Sequence, residues 1–598
     1  MRTEQFFADM AACFGPSDSI SEYGLKSKWR TVTYRCGDIR GTMLSAIGSA
    51  RPENVSFDPK LEGWYKVYVA MPDTDSFELA IQLTGDDGFY KLTPLDAPGT
   101  YVTSVEETLW RCCDMTGKAI TISRQYMNTY VDRNGGICWL RFVPMEAEEV
   151  QQYEATWSRP ETRRIYATDD IHNRLYEDDM TDPASWDSVV LPYDHSDVEW
   201  LSMEDIAIFL MDNIPADQID DFAFIRPGDW GVQKQLANFD SREVLTRLVK
   251  KGQEKGLKMS VSLRMGAWGM GYPFDQTYFD NCFFLENPHL CCLTRDGTPT
   301  TSLSYAFPEV QQYMIDRLVT LASTGCEALA LIAHRGGPYL MFEKPVADRF
   351  MELYGEEIYT LPLDDPRLNS LHCQIMTEFF RKLRAALDAA CPERHVQVHL
   401  RTMGTVYDTR YYGMDCEQLA KEGLVDAFVV YPQRYREKTN REDFADGRFD
   451  LDIHKKLVYQ AENGERLFIR NYDTSYPPKP YPDSRGVPQG PADLQACCDE
   501  WMALEKTYGT LVYMEIMPRV IQPEEMRSRA LELYACGIER LALWDTYGRV
   551  PYNGLWALTR YLGHKDELAN IPGPFYTKYR MQEIAGLDIT RCHPCWGG

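Results

Sequence analysis

From residue 164 to about residue 562 the chain repeats one unit: a short, nearly continuous apolar run, a loop, then a segment whose apolar residues recur every three or four positions. Few folds accommodate that rhythm. An apolar run needs covering on both faces, and a helix returning between successive runs makes the neighbouring strands parallel. The strand candidates are Arg164–Thr168, Val198–Ser202, Met259–Leu263, Ala328–Ile332, Val396–Leu400, Ala427–Tyr431, Leu467–Arg470, Leu511–Met514 and Leu541–Trp544, nine for the eight places of a closed barrel. Leu467–Arg470 is the expected insertion. Helices are expected over Ser241–Lys255, over Pro308–Ser323 with Val310, Met314, Leu318 and Leu321 on one face, and over Glu524–Cys536 before the stop at Gly537. No Gly-x-Gly-x-x-Gly follows the first strand and no Gly-Lys-Ser/Thr loop occurs, which argues against a doubly wound nucleotide-binding sheet. The fold class expected is α/β, a (β/α)₈ TIM barrel.

Ahead of the barrel the period falls to two. Trp64-Tyr65-Lys66-Val67-Tyr68-Val69, Phe77 to Leu83 and Ile137 to Pro144 alternate apolar and polar residues and are punctuated by Gly and Asp turns. An all-β sandwich is therefore expected over residues 1–147, carbohydrate-binding-like in character, with Trp64 and Trp110 in its core. A linker over 148–163 leads to the barrel at 164–562, and an extension over 563–598 packs on barrel or sandwich.

A formal charge of -26 repels phosphate backbones and anionic membranes, so neither nucleic acid nor membrane is an expected partner. No apolar run reaches the ~18 residues of a spanning helix, and Met1 to Met10 lacks the apolar core of a secretion signal. A cytoplasmic location is expected. The 17 cysteines then read as free thiols. Cys592-His593-Pro594-Cys595 has the spacing of half a zinc site without a second pair, so neither metal nor cofactor is expected. The sequence does not set an oligomeric state, and a homo-oligomer is compatible with it.

Several stretches together carry a resemblance: Asn287-Pro288-His289, Arg295-Asp296-Gly297, Leu303 to Val310, Arg335-Gly336-Gly337-Pro338, Tyr412-Gly413-Met414-Asp415, Glu422 to Asp426 and Leu543-Trp544-Asp545. In this order the chain resembles the glycosyl-hydrolase-like barrels related to family ten xylanases, from about Arg164 to Arg560. The resemblance implies a barrel acting on a saccharide. It also implies an acidic residue near the end of strand four, where this chain has His334-Arg335.

Barrels present their chemistry at C-terminal strand ends. Those positions offer Asp169-Asp170, Glu204, Arg264, His334-Arg335, His399 with Arg401, Tyr431, Glu515 with Arg519 nearby, and Asp545. Glycoside hydrolysis needs a proton donor for the leaving oxygen and a carboxylate that attacks or activates water. Glu515, on the penultimate strand, is the expected nucleophile or base; Asp545, Asp170, Glu204 and His334 are the candidates for the acid. Asp169 and Asp170 cannot both point inward on a regular strand. Arg264, His334, Arg335, His399, Arg401 and Arg519 form a basic rim that would suit an anionic sugar, a uronate or a phosphorylated one, unless each arginine neutralises a neighbouring acid. Tyr431, Trp544 and Trp268 are expected sugar contacts. The competing readings are a sugar isomerase or lyase working through His334 or His399, and a saccharide-binding protein without catalysis.

Overall fold

The computed structural model describes residues 2–48, 50–74, 77–95, 102–124, 133–171, 174–175, 180, 183–204, 241–266, 268, 282–293, 295, 297, 299–334, 339–361, 365–407, 409–410, 413–431, 457–460, 466–470, 491–516, 522–573 and 575–590. Arg335, Arg519 and the Cys592 to Cys595 stretch lie outside them.

Eight parallel strands close a barrel in chain order: Ile165–Asp170, Val198–Glu204, Lys258–Arg264, Ala328–Ile332, Gln397–Met403, Ala427–Tyr431, Leu511–Glu515 and Leu541–Leu543. The eighth pairs back onto the first, with Ile165 against Leu541 and Ala167 against Leu543. The ninth apolar run forms the strand Arg466–Arg470, which pairs with Leu457–Gln460 in a separate two-stranded sheet. Its apolar run matched a barrel strand, but its partner is the antiparallel neighbour just before it.

Outward-facing strand residues such as Val261, Leu263, Leu329, Leu331, Val398 and Leu400 are buried with the faces of the surrounding helices in one large core. The helix Pro308–Ala322 contributes Val310, Met314, Leu318 and Leu321, the stripe legible in its sequence, and begins with proline where no amide partner is needed. Helices Ser241–Glu254 and Pro523–Ala535 fall within a residue of their expected limits.

Separate antiparallel sheets form the sandwich ahead of the barrel. One has the order Gln5–Phe7, Trp139–Pro144, Trp64–Pro72, Ser104–Asp114, Tyr576–Arg580; another runs Val55–Phe57, Ile120–Ser123, Leu79–Leu83, Tyr90–Leu92. Val67, Val69, Ile81, Ile120, Ile122, Leu140 and Phe142 fill the core they share. Trp110 belongs to that core, whereas Trp64 is half-buried and turns its ring to Tyr153 at 6.1 Å.

The stretch between sandwich and barrel is helical, Ala147–Trp157, with a capping box between Glu146 and Glu149. Tyr153 and Trp157, one turn apart, give it a face to bury. Tyr576–Arg580 pairs with Ser104–Asp114, and Glu583 pairs with Arg35 on the strand Trp29–Cys36. The described cysteines are free thiols, and among the described residues no helix is long and apolar enough to cross a membrane.

Candidate active site

Period-two alternation sorts the barrel's side chains into layers. Tyr166, Trp200, Tyr513 and His399 make an aromatic floor: Trp200 meets His399 edge-on at 4.6 Å, and Tyr166 meets Tyr513 at 5.3 Å. The Tyr166 hydroxyl contacts Ser260 Oγ at 2.9 Å and His399 Nδ1 at 3.2 Å, while His399 Nε2 lies 3.0 Å from Gln397 Oε1. Complete burial pushes the His399 imidazole down to about 3, so it stays neutral through the physiological range. The expectation that His399 lines the substrate rim is corrected: it lies one layer, roughly 7 Å, beneath Arg401 on the same strand.

Above the floor the interior turns ionic. Arg401 donates through Nη1 to Thr168 Oγ1 and through Nη2 to Glu515 Oε2 at 2.8 Å. Its Cζ stands 4.1 Å from the centre of the Trp544 ring, and the His334 imidazole approaches the same indole edge-on at 4.9 Å. Arg401 thus ties strand five to strands one and seven and to the residue that follows strand eight. Both side chains of the Arg401–Glu515 pair are almost wholly buried, at 3% and 2% exposure, where an ion pair is screened little.

A second ionic group forms across strands one to three. Arg264 Nε donates to Glu204 Oε1, and Arg264 Nη2 reaches Asp170 Oδ2 at 3.5 Å. Asp170 and Glu204 are directly opposed in the strand pairing. Asp545 joins them, so that Asp170, Glu204 and Asp545 each offer a carboxylate oxygen within 4.8 Å of the others, all three buried. Glu204 Oε2, buried, has no hydrogen-bond partner among the described residues. Asp545 has φ of 50°, a left-handed conformation that a short polar side chain tolerates better than most, and it turns the chain immediately after Trp544. An all-oxygen trio is the donor set of a hard cation such as magnesium or calcium. Arg264, however, already supplies counter-charge to two of its members.

Asp169 points the other way, as strand alternation requires. It accepts from Arg174 at 3.1 and 2.9 Å and from the Tyr193 hydroxyl at 2.8 Å, and Tyr193 contacts Thr546 Oγ1 at 2.6 Å. This outer network braces strand one beneath the site. Trp268 also departs from expectation: it packs between Tyr305 and Tyr313, at 6.4 and 6.0 Å, in the core around the barrel. A large apolar ring in a loop found more buried area there than at the mouth. Tyr431 ends strand six, buried, on the same strand face as Ala427 and Val429, which line the barrel interior.

The structure therefore brings Asp170, Glu204, Arg264, His334, Arg401, Glu515, Trp544 and Asp545 to one end of the barrel. The described arginines of the expected basic rim, Arg264 and Arg401, are both held by carboxylates. Four carboxylates stand against two guanidiniums, which removes the physical ground for expecting an anionic ligand from these residues. Thr168 was not singled out by sequence reasoning, although its position two residues before Asp170 on the same strand face marked it as inward-facing.

No family model matches the sequence, and no curated protein matches it. Among solved structures, the glycoside hydrolase domain of PgaB (BpsB) from Bordetella bronchiseptica is similar over 66% of this chain and 98% of that one, at 11% identity and a TM-score of 0.38. The glycoside hydrolase domain of PelA from Pseudomonas aeruginosa covers 60% and 92%, at 12% identity and a TM-score of 0.30. An α-galactosidase from Thermus thermophilus covers 94% and 99%, at 13% identity and a TM-score of 0.32. With TM-scores this low, the likenesses carry no weight for the activity of this chain.

Proposed function

We propose that the barrel mouth hydrolyses a glycosidic bond in an uncharged saccharide. The observation that carries this reading is the convergence of carboxylates from strands one, two and seven, and from just after strand eight, on one end of a closed barrel: Asp170, Glu204, Glu515 and Asp545. In the reaction a carboxyl group gives its proton to the leaving oxygen as the bond to the anomeric carbon breaks, and a carboxylate attacks that carbon or deprotonates a water that does. Glu515, with Arg401 fixing one of its oxygens, is suited to the carboxylate role. The trio of Asp170, Glu204 and Asp545 supplies the acid, Asp545 being the member that closes the barrel seam beside Trp544. Trp544, buried beneath the Arg401 guanidinium, helps to hold the Arg401–Glu515 pair in place. An uncharged substrate is favoured over a uronate because Arg264 and Arg401 already have carboxylate partners.

The test is a panel of aryl glycosides of neutral sugars and of uronic acids, assayed with wild type, Glu515→Gln and Asp545→Asn. Turnover of a neutral member is expected, with a loss of at least about a hundredfold in kcat for Glu515→Gln. Unchanged turnover in that variant, or turnover of uronides alone, sinks the reading.

A further inference from the structure

A cleft of about 580 Å³ lies away from the barrel mouth, between the outer face of the five-stranded sandwich sheet and the helix Ala147–Trp157. Its floor is set by the sheet's register: Tyr68 stands opposite Arg141 on one neighbouring strand and Leu109 on the other, while Lys66 lies one step along the same face. The helix contributes Glu149 and Gln152, and the far wall carries Tyr561 and Phe575, whose rings are parallel within 4° at 6.1 Å.

The charges in this cleft cancel in pairs. Arg141 Nη2 donates to Glu107 Oε1 at 2.5 Å and the guanidinium stacks 4.1 Å over the Tyr68 ring; Lys66 Nζ donates to Glu149 Oε1 at 2.7 Å. An anionic or cationic ligand would find no surplus charge to pair with. The floor strand Trp64–Pro72 is hydrogen-bonded on both sides, to Trp139–Pro144 and to Ser104–Asp114, so a peptide strand cannot add to it there. What remains on offer is aromatic surface interleaved with neutralised polar groups, at a volume typical of small-ligand sites. Sugar rings match this: their C–H faces stack on aromatic rings and their hydroxyls both donate and accept.

We infer that this cleft is a second saccharide-binding site, taking an uncharged oligosaccharide along the sandwich sheet. Its chemistry is read from its own lining and does not depend on hydrolysis at the barrel mouth.

Calorimetric titration of the full chain tests it, with neutral hexasaccharides of glucose, xylose, mannose and galactose as probes. Glu515→Gln is the background, which prevents turnover under the hydrolase reading. At least one hexasaccharide is expected to bind, and to bind about tenfold more weakly when Tyr68→Ala is added. Gln152→Ala, at an exposed helix position, is expected to weaken binding without moving the melting temperature, and so serves if Tyr68→Ala unfolds. The inference is overturned if none of the four sugars binds, or if both cleft substitutions leave the affinity unchanged. Loss of aryl glycoside turnover across the whole panel, with cleft-dependent binding retained, would remove the hydrolase reading and leave this one standing.

Discussion

The guanidinium of Arg401 lies 4.1 Å from the centre of the Trp544 ring. Because the same group bonds Glu515 and Thr168, one side chain fixes the spacing between a candidate catalytic carboxylate and the aromatic surface beside it. A planar, five-donor fork can do this; a lysine ammonium, with no plane to lay on an indole, cannot.

Replacing Arg401 by methionine leaves Glu515 buried and without this counter-ion. The expected cost is about 3–5 kcal/mol of unfolding free energy. Arg401→Lys restores charge without the stack or the fork, and is expected to fall between wild type and Arg401→Met. Urea unfolding of the three proteins checks the order, and equal midpoints would show that the pair contributes nothing.

Arg264 and Glu204 are expected to be energetically coupled. Arg264→Met leaves Asp170 and Glu204 opposed without the guanidinium between them, whereas adding Glu204→Gln removes one of the two charges. A double-mutant cycle on unfolding free energy is expected to give a coupling of about 1–3 kcal/mol. A value within error of zero would mean that Arg264 and Glu204 are not energetically coupled.

Burial pushes the Glu106 carboxyl from 4.5 up to about 8, despite Lys578 and the Leu95 amide beside it. Between those two pH values the folded chain keeps a proton that the unfolded chain has released, so stability falls as pH rises through that window. Glu106→Gln cannot ionise and keeps an acceptor for Leu95. Its melting temperature is expected to exceed that of wild type at pH 9 and to approach it at pH 5, and scanning calorimetry at both values decides. A parallel pH dependence in the two proteins would contradict the assignment.

His399 shows the opposite slope. Its folded value of about 3 lies below the ordinary 6.5, so across that interval the unfolded chain binds a proton that the folded chain refuses. Stability is therefore lost as pH falls from about 6.5 toward 3. His399→Gln, which can still meet Tyr166, is expected to flatten this acid limb, measured as the unfolding midpoint in urea at pH 7 and pH 4.5. An unaltered difference between the two pH values would assign the limb to other groups.

The barrel strands were legible because both their faces are buried, and burial leaves a continuous apolar signature that survives without any partner in view. Leu467–Arg470 carried the same signature and went elsewhere, since an apolar run records that a strand is covered and not by what. The acidic residues of the mouth could be named from their places at strand ends. Depth could not: whether His399 or Arg401 reaches the opening depends on where neighbouring strands stop, a matter of register across the closed sheet. The arginine rim misled for a related reason. Sequence lists charges along a line, and only the fold shows that Arg264 meets Glu204 and that Arg401 meets Glu515, each across more than fifty residues.

The pairing of Tyr576–Arg580 with Ser104–Asp114 bears on how the chain is made. As the ribosome releases residues in order, the sandwich sheet stands with an open edge, the Ser104–Asp114 strand, until the whole barrel sequence has followed. That edge is an invitation to wrong partners for the length of the delay. Closing it joins segments more than four hundred residues apart, the slowest kind of contact for a folding chain to find. Completion of the sandwich sheet thus waits on synthesis of the barrel.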